Sequence, residues 1–288
     1  YVAMRGGKAL VGHCYEEGSL SLPYLAFVEA MRSYVLAREP EGLRSDLGSG
    51  AADVARIVSE VRDRVQGVEL RPAGDPEDDR WRLLQSVTSF LKNASTVQPL
   101  LIVLEDLHWS DDSTIALLTA LAQRQERAQL MVIGTYRPSE LASTHPLRAL
   151  KQELQLRDRW KELPLNLLTA QDVTTYVTAQ LPDRLVSEQL VQAIYRRTEG
   201  NPLFMANVVT ALAEQTPSET ATGRRDDSLD SQTLGISENL RQTIAQRAAR
   251  LDPDERAMLE TASVAGMEFT AAVVASALRK KPIDVEEH

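Results

Sequence analysis

The chain has 288 residues, room for one large domain or two to three smaller ones, and its 43% hydrophobic and 25% charged content is ordinary for a soluble globular protein. A net charge of −9 argues against an extended nucleic-acid-binding face, and the single cysteine, Cys14, excludes an intrachain disulfide or a cysteine metal site. No apolar run is long enough to span a bilayer and Tyr1 to Lys8 lack a signal-peptide layout, all of which fits a reducing cytoplasm.

Tyr1 to Lys8 read as the last turn of a helix stopped at Gly6-Gly7, followed by a strand over Ala9 to Tyr15. Gly6-Gly7-Lys8-Ala9 does not qualify as a phosphate-binding loop. Val2 stands where that pattern needs Gly, Ala9 stands where it needs Ser or Thr, and no strand precedes it. After a turn at Glu16-Glu17-Gly18, a helix runs through Phe27, Met31 and Val35. From Arg38 to Asp79, Pro and Gly punctuate a stretch expected to wander over the surface, with one helix from Val54 to Val65. Asp75-Pro76 opens a further helix, Asp75 as N-cap and Pro76 in its first turn, with Trp81, Leu84, Val87, Thr88 and Leu91 as the packing stripe.

Leu100-Leu101-Ile102-Val103-Leu104 is an unbroken apolar run ending at Glu105-Asp106. Such a run reads as a strand buried on both faces of a parallel sheet, whose carboxyl end is where open α/β sheets place ligands. Two acids there suit magnesium, which takes oxygen ligands from one or two carboxylates and from substrate phosphates. Ser110 and the Asp111-Asp112 pair cap a helix carrying Ile115, Leu118 and Leu121, and a second buried strand, Leu130 to Gly134, ends at Thr135-Tyr136-Arg137-Pro138. This is one βαβ unit with polar residues at both strand tips.

Pro146 to Leu156 is helical, and Trp160 to Leu165 has the pattern of a short edge strand. Helical periods then run to Glu214, with a capping-box spacing at Thr169 to Asp172 and a break at Thr198-Glu199-Gly200-Asn201-Pro202. Thr216 to Gln232 has a linker's composition. Ser237 to Leu251, Asp252 to Ala265 and Thr270 to Leu278 read as three helices, the second opened strongly by Asp252-Pro253. The expected organisation is a truncated core over 1–165, an all-α lid over 166–215, a flexible linker over 216–236 and a partial winged-helix-like helical module over 237–288. The fold class is α/β, an incomplete parallel sheet followed by helical parts.

Gly12-His13-Cys14-Tyr15-Glu16, the block Leu101 to Asp111, Gly134-Thr135-Tyr136-Arg137-Pro138 and Gly200-Asn201-Pro202-Leu203-Phe204 together resemble the AAA-type signalling ATPases of the STAND class. These P-loop NTPases occur in bacterial LuxR-type and antibiotic-regulator transcription factors and beside cyclase or kinase domains. The resemblance implies ATP and Mg2+ as cofactors. It implies Glu105 as the metal ligand, Asp106 as the acid that orients the attacking water, and Arg137 as the reader of the γ-phosphate with Thr135 as its polar neighbour. Gly200, Asn201 and Pro202 match the lid motif, Pro202 packing on the adenine. The family's first strand and Walker A loop lie upstream of Gly12, so the expectation is an N-terminally truncated chain that binds ATP poorly unless the full-length protein supplies that loop. For His108 and Trp109 the preferred reading is packing at the strand end.

The leading expectation is therefore an ATP-dependent switch with protein partners or a fused output domain and no membrane partner. A degenerate scaffold acting through protein contacts is the first alternative, which the intact Glu105, Asp106, Arg137 and Pro202 speak against. The second is DNA binding through residues 237–288, which net acidity and only three clustered basic groups, Arg279, Lys280 and Lys281, disfavour. His13, His108, His145 and His288 show no paired ligand spacing for a metal hydrolase.

Overall fold

Three apolar runs become three parallel strands in the order β1 (Lys8–His13), β2 (Leu100–Glu105) and β3 (Leu130–Gly134). The register sets His13 opposite Glu105 and Leu104 opposite both Gly12 and Gly134, so the three carboxyl ends lie side by side. The structure is a computed structural model that describes residues 2–16, 22–72, 74–123, 128–182, 186–214, 245, 248–249, 251–265 and 269–286. The chain divides into two units, Tyr1–Leu163 and Pro164–His288.

In the first unit, α1 (Leu25–Ala37) packs on β1, and α5 (Pro76–Val97) delivers the chain to β2. Asp75 caps α5 by accepting from the N–H groups of Glu77 and Asp78. The core between them includes Leu10, Phe27, Met31, Phe90, Leu91, Ile102 and Leu104, with Tyr34 edge-on to Phe90 at 5.6 Å between ring centres. Beyond β2, α6 (Asp112–Gln123) leads to β3, and α7 (Pro146–Leu156) packs on α6.

Several expectations are corrected here. The stretch after Arg38 is not a surface excursion. It forms α2 (Pro40–Leu47), α3 (Ala51–Val54) and α4 (Glu60–Arg64), and the single helix expected over Val54 to Val65 is broken in two. Leu43, Leu47, Val54, Val58, Val61 and Val65 are all buried in the main core. Buried carboxylates tie this segment down: Asp46 accepts from the Tyr34 hydroxyl and from Arg38 Nε, each at 2.8 Å, and Asp53 accepts from Ser86 Oγ at 3.0 Å. Trp81 lies 63% exposed, and Leu83 takes the buried place in its turn of α5. β3 is less covered than an internal strand, with Met131 62% exposed, because it forms one edge of the sheet among the described residues. Likewise β2 alternates buried and half-buried positions instead of being buried on both faces. No strand forms over Trp160 to Leu165, since an alternating pattern becomes a strand only with a ladder partner, and Leu163 and Leu165 are exposed.

The second unit contains α8 (Ala170–Gln180), α9 (Glu188–Thr198) and α10 (Pro202–Glu214) around Val173, Val177, Ile194, Val208 and Val209. The capping box is present, Thr169 and Asp172 each accepting from the other's backbone N–H. Helices α11 (Pro253–Ala265), α12 (Ala271–Leu278) and α13 (Pro282–Glu286) share a small core of Met258, Ala262 and Val274. The expected linker and most of the helix from Ser237 to Leu251 lie outside the described residues. No helix among the described residues is long and apolar enough to cross a membrane.

Gly12 is the closest approach in the sheet: a Cβ there would lie 1.7 Å from the carbonyl oxygen of Ala26 in α1. Gly6, by contrast, has φ +76° and open space around it. Gly12→Ala is therefore expected to cost at least about 3 kcal/mol by overpacking, against about 1 kcal/mol for Gly6→Ala from its left-handed backbone. Urea unfolding followed by tryptophan fluorescence checks this, because all three tryptophans lie in the first unit.

Candidate functional site

The carboxyl ends of the three strands bring His13, Glu105, Asp106, Thr135 and Arg137 to one end of the sheet. Backbone bonds stitch the tips together. Cys14 N–H donates to Glu105 O at 2.9 Å, Thr135 N–H to Leu104 O at 3.0 Å, and Leu107 N–H to Thr135 O at 2.8 Å. The Thr135 hydroxyl oxygen accepts from Asp106 N–H at 3.0 Å, and its own proton is still there to donate. Asp106 has φ +58°, a left-handed conformation that Asp tolerates better than most residues. That reversal starts the helical turn Leu107–Trp109 and sends Leu107 under β3, where a Cβ on Gly134 would come within 2.4 Å of its Cδ1. A larger residue in place of Gly134 would have to shift the end of that buried Leu107 side chain.

Glu105 and Asp106 are both half-exposed at the tip of β2. Glu105 Oε2 lies 3.7 Å from His13 Nε2, while the other ring nitrogen of His13 lies 3.0 Å from Glu29 Oε2 on α1. Glu29 also accepts from the His13 backbone N–H at 2.9 Å and from the Tyr15 hydroxyl at 2.9 Å. Asp111 is the true cap of α6: its Oδ1 accepts from Ser113 and Thr114 N–H at 2.8 and 2.9 Å, whereas Ser110 Oγ donates to Leu107 O. Cys14 is buried at this end, and burial, then Asp111, Asp106 and Glu29, push its thiol up to about 12. It is an inert core thiol.

Arg137 follows β3 and pairs through Nη1 with Glu140 Oε1 at 2.5 Å. The second Glu140 oxygen lies 3.1 Å from His108 Nε2, off the line of a hydrogen bond. His108 is buried and leans on Trp109 at 4.5 Å, as the packing reading expects, and its Nδ1 lies 4.0 Å from Asp106 Oδ1. His145 accepts from Leu147 N–H through Nδ1 and caps α7, which needs the neutral ring, and burial lowers its pKa.

Lys8 stands at the amino end of β1 opposite Leu100, with its ammonium 5.0 Å over the Tyr34 ring. It is thus at the wrong end of the sheet to grip a phosphate beside Glu105. In the second unit Gly200 has φ +77°, and a Cβ there would lie 2.1 Å from Leu168 O. Its carbonyl accepts from Leu168 N–H at 2.8 Å. Asn201 caps α10 by accepting from Leu203 and Phe204 N–H at 3.0 and 3.3 Å, with Pro202 opening the helix. Gly200-Asn201-Pro202 thus has a local structural purpose of its own.

Sequence reading missed His13, Glu29 and Glu140 as members of this end of the sheet. Glu140 carried a faint signal, three residues after Arg137, but His13 and Glu29 meet only through the packing of α1 on β1. Among the described residues no group of three or more His, Cys, Asp or Glu side chains is arranged to hold a metal by itself. Two adjacent carboxylates still fit magnesium, because phosphates and water fill its remaining positions.

Residues 3–133 match the family model described as AAA ATPase domain, so an AAA-type ATPase, a nucleotide-binding NTPase fold, is the class this stretch supports. Comparison with curated proteins finds no match. Two solved structures of Thermotoga maritima RuvB mutants are similar over 86% of this chain and 84% of theirs, at 15% and 16% identity with TM-scores of 0.33 and 0.32. At such TM-scores the likeness identifies neither a shared site nor a shared reaction.

Burial pushes the Glu29 carboxyl up, but hydrogen bonds from the His13 ring, the His13 backbone and Tyr15 outweigh it and hold the group below its ordinary 4.5. A carboxyl with a depressed folded pKa stabilises the protein above the unfolded value, and that stability is lost as pH falls through the folded one. Glu29→Gln is thus expected to be less stable than the parent at about pH 7, with the gap closing below about pH 4.5, as urea unfolding across that range would record.

Proposed function

We propose that the carboxyl end of this sheet is the metal- and γ-phosphate-facing part of an ATP site in a STAND-type signalling switch. The observation that carries this reading is the stitching of Asp106 to Thr135, two residues before Arg137, whose guanidinium feels the Asp106 carboxylate. In this reading Glu105 holds Mg2+, which when bound offsets the charge of the β- and γ-phosphates. Asp106 accepts a hydrogen bond from the attacking water and aims it, and Thr135 fixes the backbone of Asp106. Arg137 meets the terminal phosphate, where a planar fork of N–H donors stabilises charge as it moves to the leaving oxygen. Gly200, Asn201 and Pro202 are proposed to face the adenine, the helical part of the second unit acting as a lid that responds to the state of the nucleotide.

The domain plan of core, lid, linker and partial winged-helix-like module is proposed on the same resemblance, as are a fused output domain or protein partner and a cytoplasmic setting. The DNA-binding alternative is weakened by Lys280, whose ammonium pairs with Asp254 at 2.9 Å. The 288 residues contain no Walker A pattern, so the chain as given is expected to hold ATP weakly.

Equilibrium binding of a fluorescent ATP analogue with Mg2+ tests this on the full-length gene product and on the present chain. Expected is on the order of micromolar binding by the full-length product, at least about tenfold weaker after Glu105→Ala or Arg137→Ala. A full-length product that binds no nucleotide would leave the protein-contact scaffold as the better account.

A further inference from the structure

Arg137 sits in irregular backbone after β3 with a half-exposed side chain, an arrangement that leaves a long arginine many rotamers. Here the chain turns back on itself at once. Pro138 opens the helical turn Pro138–Glu140, and Glu140 N–H donates to Arg137 O at 3.1 Å. That turn returns the Glu140 carboxylate to the guanidinium, 2.5 Å from Nη1. Its other oxygen rests 3.1 Å from Nε2 of His108, whose side chain is fully buried. His108 belongs to the turn set by Asp106, so Glu140 spans from the tip of β2 to the arginine beyond β3.

The geometry points to Glu140 as a positioning residue for Arg137: it fixes one edge of the guanidinium and leaves the remaining N–H groups for a terminal phosphate. This rests on the reading of Arg137 as the phosphate-facing arginine. An isolated surface ion pair holds its partners loosely. Here the short turn Pro138–Glu140, closed by Glu140 N–H to Arg137 O at 3.1 Å, keeps the two side chains together, and the buried ring of His108, though not hydrogen-bonded to Glu140, fills the space on the carboxylate's far side. The pair does not use up the arginine, since a guanidinium has five N–H donors in a rigid fork and Glu140 engages one edge of it. The Glu140 carboxylate comes back to Arg137, and therefore the order it imposes is felt only by a ligand that reaches Arg137. ATP has the γ-phosphate to do so and ADP does not.

The test is the ratio of affinities for a non-hydrolysable ATP analogue and for ADP, each with Mg2+, in the full-length gene product. Glu140→Ala is expected to weaken the ATP analogue about three- to tenfold and leave ADP unchanged. The same substitution in an Arg137→Ala background is expected to do nothing further. Glu140→Gln keeps an oxygen that accepts from Arg137 and is expected to recover most of the loss. Glu140→Leu, which keeps side-chain bulk but cannot accept from Arg137, supplies the ratio if the alanine variant does not fold, and is expected to weaken the ATP analogue as the alanine variant does. Equal losses for both nucleotides would make Glu140 merely structural. A gain for the ATP analogue would make it a mask over Arg137, and either result overturns the proposal. If Arg137→Ala shifts the ratio and neither Glu140→Ala nor Glu140→Leu does, the proposal alone fails. If Arg137→Ala leaves the ratio unchanged, the reading of the site fails with it.

Discussion

β2 is hydrogen-bonded along both edges, and parallel pairing on each side brings three carboxyl ends to the same end of the sheet. Every residue of the candidate site in the first unit depends on that register. A shift by one position would turn Glu105 away from His13 and part Asp106 from Thr135. The close contacts at Gly12 and Gly134 guard the register from two sides. One lets α1 press on β1, and the other lets Leu107 tuck beneath the end of β3. The reversal at Asp106 is held from both directions, by Thr135 through two hydrogen bonds and by Leu107 through burial.

One consequence is electrostatic. Glu29, Glu105, Asp106 and Asp111 gather at one end of a small sheet, and the Cys14 thiol there resists ionisation, first because it is buried and then because of Asp111, Asp106 and Glu29. A polyphosphate approaching such a site meets like charge unless a cation accompanies it, which is the physical sense of pairing these acids with Mg2+. The basic side chains at this end already have acidic neighbours. His13 lies between Glu29 and Glu105, and Arg137 lies against Glu140. Each partner restrains a side chain at the strand tips, so the site is preorganised by its own hydrogen-bonding and acidic neighbours.

Much of the fold was legible because it is local. Asp75-Pro76, Thr169 to Asp172 and Asp252-Pro253 announce their helices through hydrogen bonds that span two or three residues, and all three helices are present. The strands β1, β2 and β3 were legible from unbroken apolar runs. What failed was non-local. The segment from Arg38 to Asp79 looked loose because its helices are short and broken by Gly, yet Asp46 and Asp53 find partners on α1, in Arg38 just beyond it, and on α5 that draw the segment into the core. Trp81 looked like a core residue from its place in the stripe, but that turn of α5 buries Leu83 instead. Trp160 to Leu165 alternates as a strand does and has no neighbouring strand to pair with among the described residues.

The sequence by itself determined the elements at the site and the acids at the tip of β2, because apolar runs, caps and the Glu105-Asp106 pair are written in adjacent residues. It also carried the resemblance that assigns roles to Arg137 and to Gly200-Asn201-Pro202. Only the tertiary structure decided the neighbours of those groups. Thr135 came to Asp106 across 29 residues, Glu29 to His13 across 16, and Glu140 to the ring of His108 through the turn after β3. Such meetings depend on strand register and on which face of α1 is buried, and neither quantity is set by any short stretch of chain. Packing of the whole first unit settles them together.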